Sequence, residues 1–355
     1  MSAFDFVFVI KSLNPGGAER VLVNLAAHFY KKGFSVAILT FEKKGEMAQS
    51  LPANVPVFCI GQGIKGLLAL ASFFNHNEIK RVISFLFYSN ARAAFVKFFF
   101  RWKGRLILTE HSSPLRYAGG LRLANISRKL VGRLLFGFAN KYFVVSPELV
   151  SDVCKVFRVD ENVIEVVPNP FDAEVIRQCG QVEITGKAKL FYDKYKVICA
   201  VGRLVPEKGF DVLIKSFAVL PDEYCLVLLG DGCEFNKLKK IARSSGILNR
   251  VVFIGFDANP WKYISNSIFV VVPSIQEGFG NVIVESSILS IPVLSTDCVG
   301  PRFIFSKSNF DDFVDPGSVD SMSKALSKYA CSPFNLPIAD YDNYLVEKVS
   351  EKYVI

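Results

Sequence analysis

Histidines and paired cysteines, the usual ligands of zinc, are scarce in this chain of 355 residues. It has three histidines and eight cysteines, and no two cysteines form a Cys-x-x-Cys pair. A zinc site is therefore not expected, because such sites need closely spaced cysteine and histidine ligands. Cys59, Cys199 and Cys225 lie inside apolar stretches, which favours reduced, buried thiols in a cytoplasmic protein.

Long apolar runs are also missing. No segment reaches the roughly 18 apolar residues that indicate a membrane-spanning helix. The first residues lack the basic segment and cleavage site of a signal peptide, so we predict that the chain begins with a buried strand. With 51% hydrophobic and 21% charged residues, the composition is that of a globular protein, and the length fits two α/β domains.

The net charge of +9 is unevenly distributed along the chain. Residues 92–141, here called the basic segment, contain eleven lysines and arginines but a single acidic residue, Glu110. The basic segment therefore accounts for the whole net charge, and its role requires a local explanation.

Short apolar runs that favour strands alternate with helix-like segments. The predicted strands cover residues 4–10, 35–41, 81–87, 105–109, 141–145 and 163–167, and then 197–201, 225–229, 251–254, 268–272 and 291–295. Such alternation indicates parallel sheets covered by helices on both faces. We therefore predict an α/β fold with two Rossmann-like, doubly wound domains in residues 1–170 and 171–340. A helix in residues 341–355 is predicted to pack back on the first domain.

A glycine-bearing loop in the second half has the strongest functional signal. A strand-like run stops at Pro273, the loop Glu277-Gly278-Phe279-Gly280 follows, and a helix-like segment begins near Asn281. A helix N-terminus preceded by small residues binds anions, because its free N–H groups and positive dipole end point outward. Glu277 and Glu285 bracket this loop and are suited to accept hydrogen bonds from hydroxyls. A nucleotide-sugar, which has both phosphates and hydroxyls, matches both features.

A second loop that follows a strand carries two cations, Arg203 and Lys208. In an open α/β sheet the carboxyl ends of the strands form the ligand-binding edge. Arginine as a planar fork and lysine as a point charge can neutralise two phosphates there. The alternative is a solvated loop with a surface ion pair between Arg203 and Glu207. Because the loop that contains Glu277 follows a neighbouring strand, we favour phosphate binding.

Three other motifs are weaker. Gly16 and Gly17, between the first strand and the first helix, let a bound group approach the backbone, but taken alone the pair is better explained as a tight turn. Gly230-Asp231-Gly232 lacks the third glycine of a dinucleotide fingerprint, since Phe235 takes its place, and is interpreted as a strand-to-helix turn. His111 follows a strand at the same kind of edge, which favours a functional role over a packing role.

Asp340-Tyr341-Asp342 has the Asp-x-Asp spacing that holds a metal on a diphosphate in some enzymes. The triplet lies in the C-terminal tail and not after a core strand. We therefore predict neither a metal site nor another cofactor.

The basic segment combines cations with apolar side chains. Residues 121–138 have helical spacing, with an apolar face that is flanked at its polar edge by Arg122, Lys129 and Arg133; the face comprises Leu123, Ile126, Leu130, Leu134 and Phe138. Such a helix is suited to lie in an anionic membrane surface. Nucleic-acid binding is less favoured, because the cations accompany apolar side chains and not stacking platforms. A core-packing helix with a solvated basic rim is the remaining alternative.

With these motifs, the chain resembles the retaining glycosyltransferases of family 4, which have the GT-B fold. The resemblance runs from Gly16-Gly17, through residues 166–169, to residues 201–209, 230–232 and 273–285. Its most specific feature is the paired glutamates, Glu277 and Glu285, joined to the Arg203 and Lys208 loop. It implies that the two Rossmann-like domains face each other across a cleft. The stretches GGAERV and DCVGPR look most like bacterial enzymes that build lipopolysaccharide, capsule or glycoprotein glycans on a membrane lipid.

The resemblance also implies roles for individual residues. The implied donor-binding residues are Gly16, Gly17, Arg203, Lys208, Gly278, Phe279, Gly280, Asn281 and Glu285, and the implied catalytic residues are His111, Arg203, Lys208 and Glu277. Arg203 and Lys208 would hold the donor diphosphate, with Gly16 and Gly17 closing over the phosphates. Glu285 would bind the nucleotide ribose, Glu277 would lie near the donor sugar, and His111 would face the reacting sugar.

The expected function is transfer of a hexose or N-acetylhexosamine from a UDP-sugar, with retention, to a lipid-linked glycan. The expected location is the cytoplasm, at the inner face of the cytoplasmic membrane, with the basic segment against anionic lipid. Two alternatives remain open: a UDP-sugar epimerase of the same fold, and a non-catalytic, membrane-associated subunit that binds sugar nucleotides. An oxidoreductase is not favoured, because the full dinucleotide fingerprint is absent.

Overall fold

The computed structural model describes residues 2–43, 45–115, 123–306, 308 and 310–354. The chain divides into two compact units. The N-terminal unit comprises Met1–Pro170 together with Val346–Ile355, and the C-terminal unit comprises Phe171–Leu345. Each unit is an α/β domain built on a parallel sheet, so the predicted fold class is confirmed.

The N-terminal unit has a seven-stranded parallel sheet in the order β3-β2-β1-β4-β5-β6-β7. The strands are β1 Ala3–Ile10, β2 Val36–Thr40, β3 Val57–Cys59, β4 Glu78–Phe85, β5 Arg105–Glu110, β6 Lys141–Val144 and β7 Ile164–Val166. Its helices are α1 Gly17–Lys31, α2 Gly63–His76, α3 Leu86–Phe99, α4 Leu123–Leu135 and α5 Glu148–Phe157. In β1 the residues from Phe6 to Ile10 are fully buried, as expected for a strand covered on both faces.

The C-terminal unit has a five-stranded parallel sheet in the order β10-β9-β8-β11-β12. The strands are β8 Lys196–Val201, β9 Tyr224–Leu229, β10 Val251–Gly255, β11 Phe269–Val272 and β12 Val293–Ser295. The helices are α6 Ala173–Gly180, α7 Gly186–Lys194, α8 Phe210–Phe217, α9 Phe235–Ser244, α10 Trp261–Ile264, α11 Asn281–Ile288, α12 Val299–Phe305 and α13 Val319–Cys331. Side chains of β8, β9, α8, α9 and α13 form its main core.

Both strand orders contain a switch point. This is the place between two neighbouring strands from which the chain connections run in opposite directions along the sheet. In the N-terminal unit this point lies between β1 and β4, and in the C-terminal unit it lies between β8 and β11. Ligands of open α/β sheets bind outside the carboxyl ends of the strands at such points. The fold therefore marks one candidate edge in each unit.

The structure differs from the prediction in one missed strand and two boundaries. Sequence reasoning missed β3, whose three residues are too few for a periodic signal. The strand predicted at residues 81–87 ends at Phe85, because Leu86 has a left-handed backbone (φ +65°) and begins α3. The tail is not one helix from residue 341: Asp342–Tyr344 is a 3₁₀ turn of the C-terminal unit, and helix α14 covers Val346–Val354.

Helix α14 packs in the N-terminal unit, against α1 and the sheet. The Arg81 side chain donates a hydrogen bond to the Val354 carbonyl, and Lys352 Nζ lies 2.9 Å from Glu165 Oε1. The rings of Tyr353 and Phe143 meet edge to face at 5.0 Å. Within the described part of the chain, every helix is too short or too polar to cross a lipid bilayer.

Candidate active site

Four loops meet at the carboxyl edge of the C-terminal sheet, after β8, β9, β11 and β12. Two glycines permit their close approach. Gly209 has φ +64°, and a Cβ atom there would overlap the carbonyl oxygen of Pro273. A Cβ atom at Gly300 would likewise overlap the carbonyl oxygen of Phe279. A residue with a side chain would force these loops apart, so the sequence itself fixes how closely they pack.

Lys208 and Glu277 form the polar centre of these loops. Lys208 Nζ lies 2.5 Å from Glu277 Oε2, and both side chains are largely buried. Ser274, which is itself buried, donates its hydroxyl to the same oxygen at 3.2 Å. Because both hydrogen bonds go to Oε2, the other carboxylate oxygen of Glu277 is the one suited to accept a ligand hydroxyl.

The backbone holds this pair in place from two further directions. Ile275 N–H donates to the Glu207 carbonyl at 2.9 Å, which ties the loop after β11 to the loop after β8. Gly300 N–H donates to the Glu277 carbonyl at 3.1 Å, which ties the same loop to the start of α12. Lys208 and Glu277 are therefore positioned before any ligand arrives, as a preorganised site requires.

Ser274 is a residue that sequence reasoning missed. Its carbonyl accepts hydrogen bonds from Thr296 Oγ1 at 2.6 Å and from Cys298 Sγ at 3.2 Å, so the loop after β12 holds it in place. A serine that follows a strand and precedes a glutamate by three residues was the available signal, but only the tertiary contacts distinguish it from any other loop serine.

Arg203 is the most exposed of the predicted site residues in this unit. Its Nη2 atom lies 3.7 Å from Glu207 Oε1, and 58% of its side chain is accessible. The alternative of a surface ion pair is therefore present in the structure. An exposed pair at this distance contributes only about 0–1 kcal/mol, so the guanidinium can leave Glu207 for an anion at small cost.

Helix α11 begins at the same edge. Gly280 precedes it with φ +100° and, having no side chain, cannot itself cap the first N–H groups of the helix. Glu285 lies in the following turn and is buried. Phe279 is buried too, with its ring near Phe171 and Tyr344; its side chain is a core contact, and its backbone forms the loop with Gly278.

The turn after β9 supports the loop after β8. Leu204 N–H donates to the Asp231 carbonyl at 2.9 Å, and Asp231 Oδ2 accepts from Phe256 N–H at 3.0 Å. Gly232 lies against the Leu204 carbonyl. The Gly230-Asp231-Gly232 motif thus serves as a strand-to-helix turn that braces the segment carrying Arg203.

In the N-terminal unit, His111 follows β5. Its Nε2 atom lies 3.2 Å from Thr109 Oγ1, and its ring stacks on Phe85 at 5.6 Å. Burial lowers the pKa of His111 to about 4, although a hydrogen bond with Asn169 acts in the opposite direction. His111 is therefore neutral at pH 7.

Glu110, the residue before His111, is a second titratable group that sequence reasoning missed. The carboxyl group is completely buried. Burial raises the pKa of Glu110 to about 8, although the amides of His111 and Ser112 and the Tyr142 hydroxyl favour ionisation. Glu110 is therefore mostly protonated at pH 7. Its isolation as the one acid of the basic segment was the available signal.

Gly16 and Gly17 lie where the chain enters α1. Gly16 has an extended backbone, and a side chain there would displace the Glu19 carboxylate, which lies against it in the first turn of the helix. Gly16, Gly17 and His111 belong to the N-terminal unit, and the other predicted site residues belong to the C-terminal unit.

The Asp-x-Asp triplet forms a local turn, in which Asp342 N–H donates to Asp340 Oδ1 at 3.1 Å. Across the residues that the structure describes, no cluster of three or more His, Cys, Asp or Glu side chains is placed to hold a metal ion.

The apolar stripe of the basic segment is on the surface, which contradicts the core-packing alternative. Ile126, Leu130 and Leu134 of α4 are 52%, 57% and 62% exposed. The stripe continues into Phe138, whose ring stacks on Phe98 at 4.2 Å. The exposed side chains of Phe98, Phe99 and Phe100 at the end of α3 extend it.

Two of the cations predicted to flank this stripe need comment. Arg133 does not flank it freely, because its Nε donates to the Val156 carbonyl at 3.0 Å and so links α4 to the end of α5. Arg122, like Arg116, lies outside the described residues. Arg128 and Lys129 remain on α4, and Arg101 and Lys103 follow the three phenylalanines.

Comparison with known proteins agrees with the fold and the motifs. Residues 15–175 match the family described as Glycosyltransferase Family 4, and residues 182–337 match the family described as Glycosyl transferases group 1. Together these matches cover most of the chain. The chain therefore belongs to the family 4 glycosyltransferases, with the GT-B fold.

Individual relatives support this assignment. One relative is a 4-alpha-N-acetylgalactosaminyltransferase of Campylobacter jejuni, whose name gives N-acetylgalactosamine-N,N'-diacetylbacillosaminyl-diphospho-undecaprenol as its acceptor. The two sequences are 28% identical over 328 residues, which cover 89% of this chain and 87% of that protein. An uncharacterized glycosyltransferase of Methanocaldococcus jannaschii is 29% identical over 217 residues, and this aligned region covers 59% of this chain and 53% of that protein. The crystal structure of Anabaena HepE with UDP and glucose has a TM-score of 0.82 at 18% identity, covering 99% of this chain and 98% of that one.

Proposed function

We propose that the protein transfers a hexose or N-acetylhexosamine from a UDP-sugar, with retention of configuration, to a hydroxyl of a lipid-linked glycan. The observation that carries this proposal is the arrangement at the carboxyl edge of the C-terminal sheet. There the buried pair of Lys208 and Glu277 lies beside the start of α11, and Lys208 shares the loop after β8 with Arg203. Cations and helix N–H groups suit a diphosphate, and the carboxylates suit hydroxyls.

Similar proteins support the donor and the acceptor class. HepE binds UDP and glucose in its crystal structure, and the name of the Campylobacter relative specifies a diphospho-undecaprenol acceptor. A lipid-linked glycan of lipopolysaccharide, capsule or glycoprotein assembly is the corresponding acceptor class for this chain.

In the proposed reaction, the bond between the sugar and the diphosphate breaks while an acceptor hydroxyl attacks the same face. Negative charge develops on the leaving UDP, and Arg203, Lys208 and the N–H groups of α11 stabilise it. A leaving phosphate oxygen takes the acceptor proton. Neutral His111 orients the sugar and is not the base, because burial depresses its basicity. Side chains and helix amides thus take the role of a metal, and none is required.

A donor screen tests this proposal. The purified protein is incubated with UDP-, GDP- and ADP-sugars, with and without native membrane lipids and with and without EDTA. We expect release of UDP, a glycosylated lipid whose anomeric configuration by NMR matches that of the donor, and no loss of activity with EDTA. Conversion of the UDP-sugar without any acceptor would instead identify an epimerase. Absence of both reactions, with intact UDP binding, would identify a non-catalytic subunit.

The same proposal places the enzyme at the inner face of the cytoplasmic membrane, with the stripe formed by α3 and α4 in the lipid. Exposed Leu and Phe side chains beside Arg101, Lys103, Arg128 and Lys129 fit an anionic interface.

Vesicle co-sedimentation tests this location. We expect binding to vesicles that contain phosphatidylglycerol, weakened by salt and by Leu134→Ser. Leu190→Ser is the matched control, because Leu190 is also an exposed leucine on a helix, at 67%, but lies in the C-terminal unit. Equal binding by the two variants, or no dependence on salt, would contradict the location.

A further inference from the structure

Arg92 is a half-buried cation without a carboxylate partner. Its guanidinium stacks on the Tyr88 ring at 3.5 Å and lies 5.3 Å from the Phe41 ring. Its Nη1 donates to the Tyr88 carbonyl at 3.2 Å. No described Asp or Glu side chain forms an ion pair with it. Burial lowers the pKa of Arg92, because removing a charged group from water costs free energy.

Lys11 provides a second cation on the same aromatic ring. It follows β1, and its Nζ lies 5.8 Å from the Tyr88 ring centroid. It also lies 3.1 Å from Glu42 Oε1, and about half of its side chain is exposed. The group formed by Lys11, Arg92 and Glu42 therefore retains one positive charge that faces partly toward solvent.

This group lies at the switch point of the N-terminal sheet. Lys11 follows β1, Phe41 follows β2, and Tyr88 and Arg92 lie in the first turns of α3, directly after β4. Since β1 is flanked by β2 and β4, the cations lie at the carboxyl edge where open α/β sheets bind ligands.

Two further features of the same junction are typical of binding sites. Leu86 adopts a left-handed backbone, which is costly for a residue with a side chain, and such strain tends to cluster at functional sites. Ser89 Oγ and Asn90 Oδ1, in the first two turns of α3, are buried and form no hydrogen bond within the described structure. Such groups are rare in native proteins, and each calls for an explanation.

We propose that Lys11 and Arg92 bind a phosphoryl group of the acceptor, with Tyr88 holding the Arg92 guanidinium in a fixed plane. This inference rests on the proposed function for the identity of the acceptor. Arginine presents paired N–H groups that match two phosphoryl oxygens, and lysine adds a mobile point charge. A bound anion also removes the cost of a half-buried charge without a counter-ion.

A phosphoryl anion occurs in two kinds of acceptor. One is the diphosphate that joins a glycan to its lipid, and the other is a phosphate on a sugar of the glycan itself. Structural stacking of Arg92 on Tyr88, with no ligand, is the competing explanation.

Binding of inorganic pyrophosphate tests the site without any need for activity. It is measured by calorimetry at low salt in protein that carries Arg203→Ala and Lys208→Ala, so that the proposed donor site does not contribute. We expect Arg92→Gln to weaken binding about tenfold or more, as for the loss of hydrogen bonds to a charged group, and Arg92→Lys to weaken it less. Lys11→Gln, at an exposed position, gives a second measurement of pyrophosphate binding at this site if Arg92→Gln does not fold.

Arg105→Gln is the matched control, because Arg105 begins β5 at the opposite edge of the same sheet. Pyrophosphate affinity that is equal in Lys11→Gln, Arg92→Gln and Arg105→Gln overturns the proposal. So does the absence of binding in the parent protein.

A transfer assay then distinguishes the two phosphoryl sources. The acceptors are a prenyl-diphosphate-linked sugar, the same sugar as a phosphate monoester on its ring, and its neutral octyl glycoside. We expect Arg92→Gln to raise KM about tenfold for the acceptor that has the recognised phosphoryl group and to leave KM for the octyl glycoside unchanged. An equal rise for all three acceptors contradicts anion recognition. Pyrophosphate binding that depends on Arg92, with no transfer to any acceptor, leaves this site standing and rejects the proposed function.

Discussion

The carboxyl edges of the two sheets differ in how their polar groups are used. In the C-terminal unit, the loops are fastened to one another by backbone hydrogen bonds and glycine contacts, and Lys208 is paired with Glu277. In the N-terminal unit, Arg92 forms no ion pair with any described carboxylate, and His111 and Glu110 are both held in their neutral forms by burial. The polar groups of the first edge are thus paired within the chain, whereas the second edge keeps a cation that a bound anion can pair.

Substitutions at each edge test this difference between fastened loops and an incompletely paired cation.

Arg203→Ala should lower turnover about a hundredfold or more, as for the loss of one charge-stabilising donor, with little change in thermal stability because Arg203 is exposed. Lys215→Ala is the control, since Lys215 forms an i,i+4 ion pair with Asp211 in the same unit, as Arg203 does with Glu207. Steady-state rates of UDP release measure both variants. Near-normal turnover in Arg203→Ala would remove the C-terminal edge as the site of charge stabilisation.

Gly209→Ala should destabilise the fastened edge in two ways. The left-handed backbone alone costs about 1–2 kcal/mol, and the overlap with the Pro273 carbonyl adds about 1–3 kcal/mol. Gly246→Ala isolates the first cost, because Gly246 has φ +72° but open space around it. Urea unfolding measures both. If the two variants lose equal stability, the contact between the loops does not matter.

Glu110→Gln should change how stability depends on pH. The pKa of Glu110 is raised in the folded state to about 8, so its contribution to stability is lost as pH rises from its ordinary pKa to 8. The pKa of His111 is lowered to about 4, so its contribution has the opposite sign and is complete by about pH 6.5.

Between pH 6.5 and 8, then, Glu110 alone of these two groups should reduce the free energy of unfolding, by about 2 kcal/mol. Unfolding of the wild type and of Glu110→Gln at both pH values measures this loss, which should be absent from the variant. Glu148→Gln, an exposed glutamate on α5, is the control. If the free energy of unfolding changes with pH in the same way in all three proteins, Glu110 is already ionised at neutral pH.

Ser274→Ala should weaken binding of a UDP-sugar about tenfold or less, the value of one hydrogen bond to a charged group, while binding of UDP is unchanged. The reason is that Ser274 acts through Glu277, which is assigned to the sugar. In a Glu277→Gln background the same change should have no further effect. Ser216→Ala is the control. It also removes a buried serine hydroxyl, but one that donates to the Val319 carbonyl. Additive effects of Ser274→Ala and Glu277→Gln would show that the serine acts independently.

The fold class and most of the candidate residues of the C-terminal edge could be predicted from the sequence alone. Apolar runs such as residues 197–201 and 225–229 can be buried only as covered parallel strands, and strand ends are where loops with Arg203 and Glu277 must emerge. These are local properties, because each depends on residues that are neighbours in the chain. The short strand β3 and the end of β4 at Phe85 escaped prediction, since three residues carry no period and Leu86 gives no sign of its left-handed backbone.

In contrast, the pairing of side chains and their burial became known only from the packing of the folded chain. Ser274 reaches Glu277, and Lys11 and Arg92 share the ring of Tyr88, although the latter two are eighty-one positions apart in the chain. Leu134 lies on the surface and Glu110 lies inside, the reverse of what their side chains favour. Burial and long-range contacts depend on how whole elements pack, which no local pattern of residues specifies.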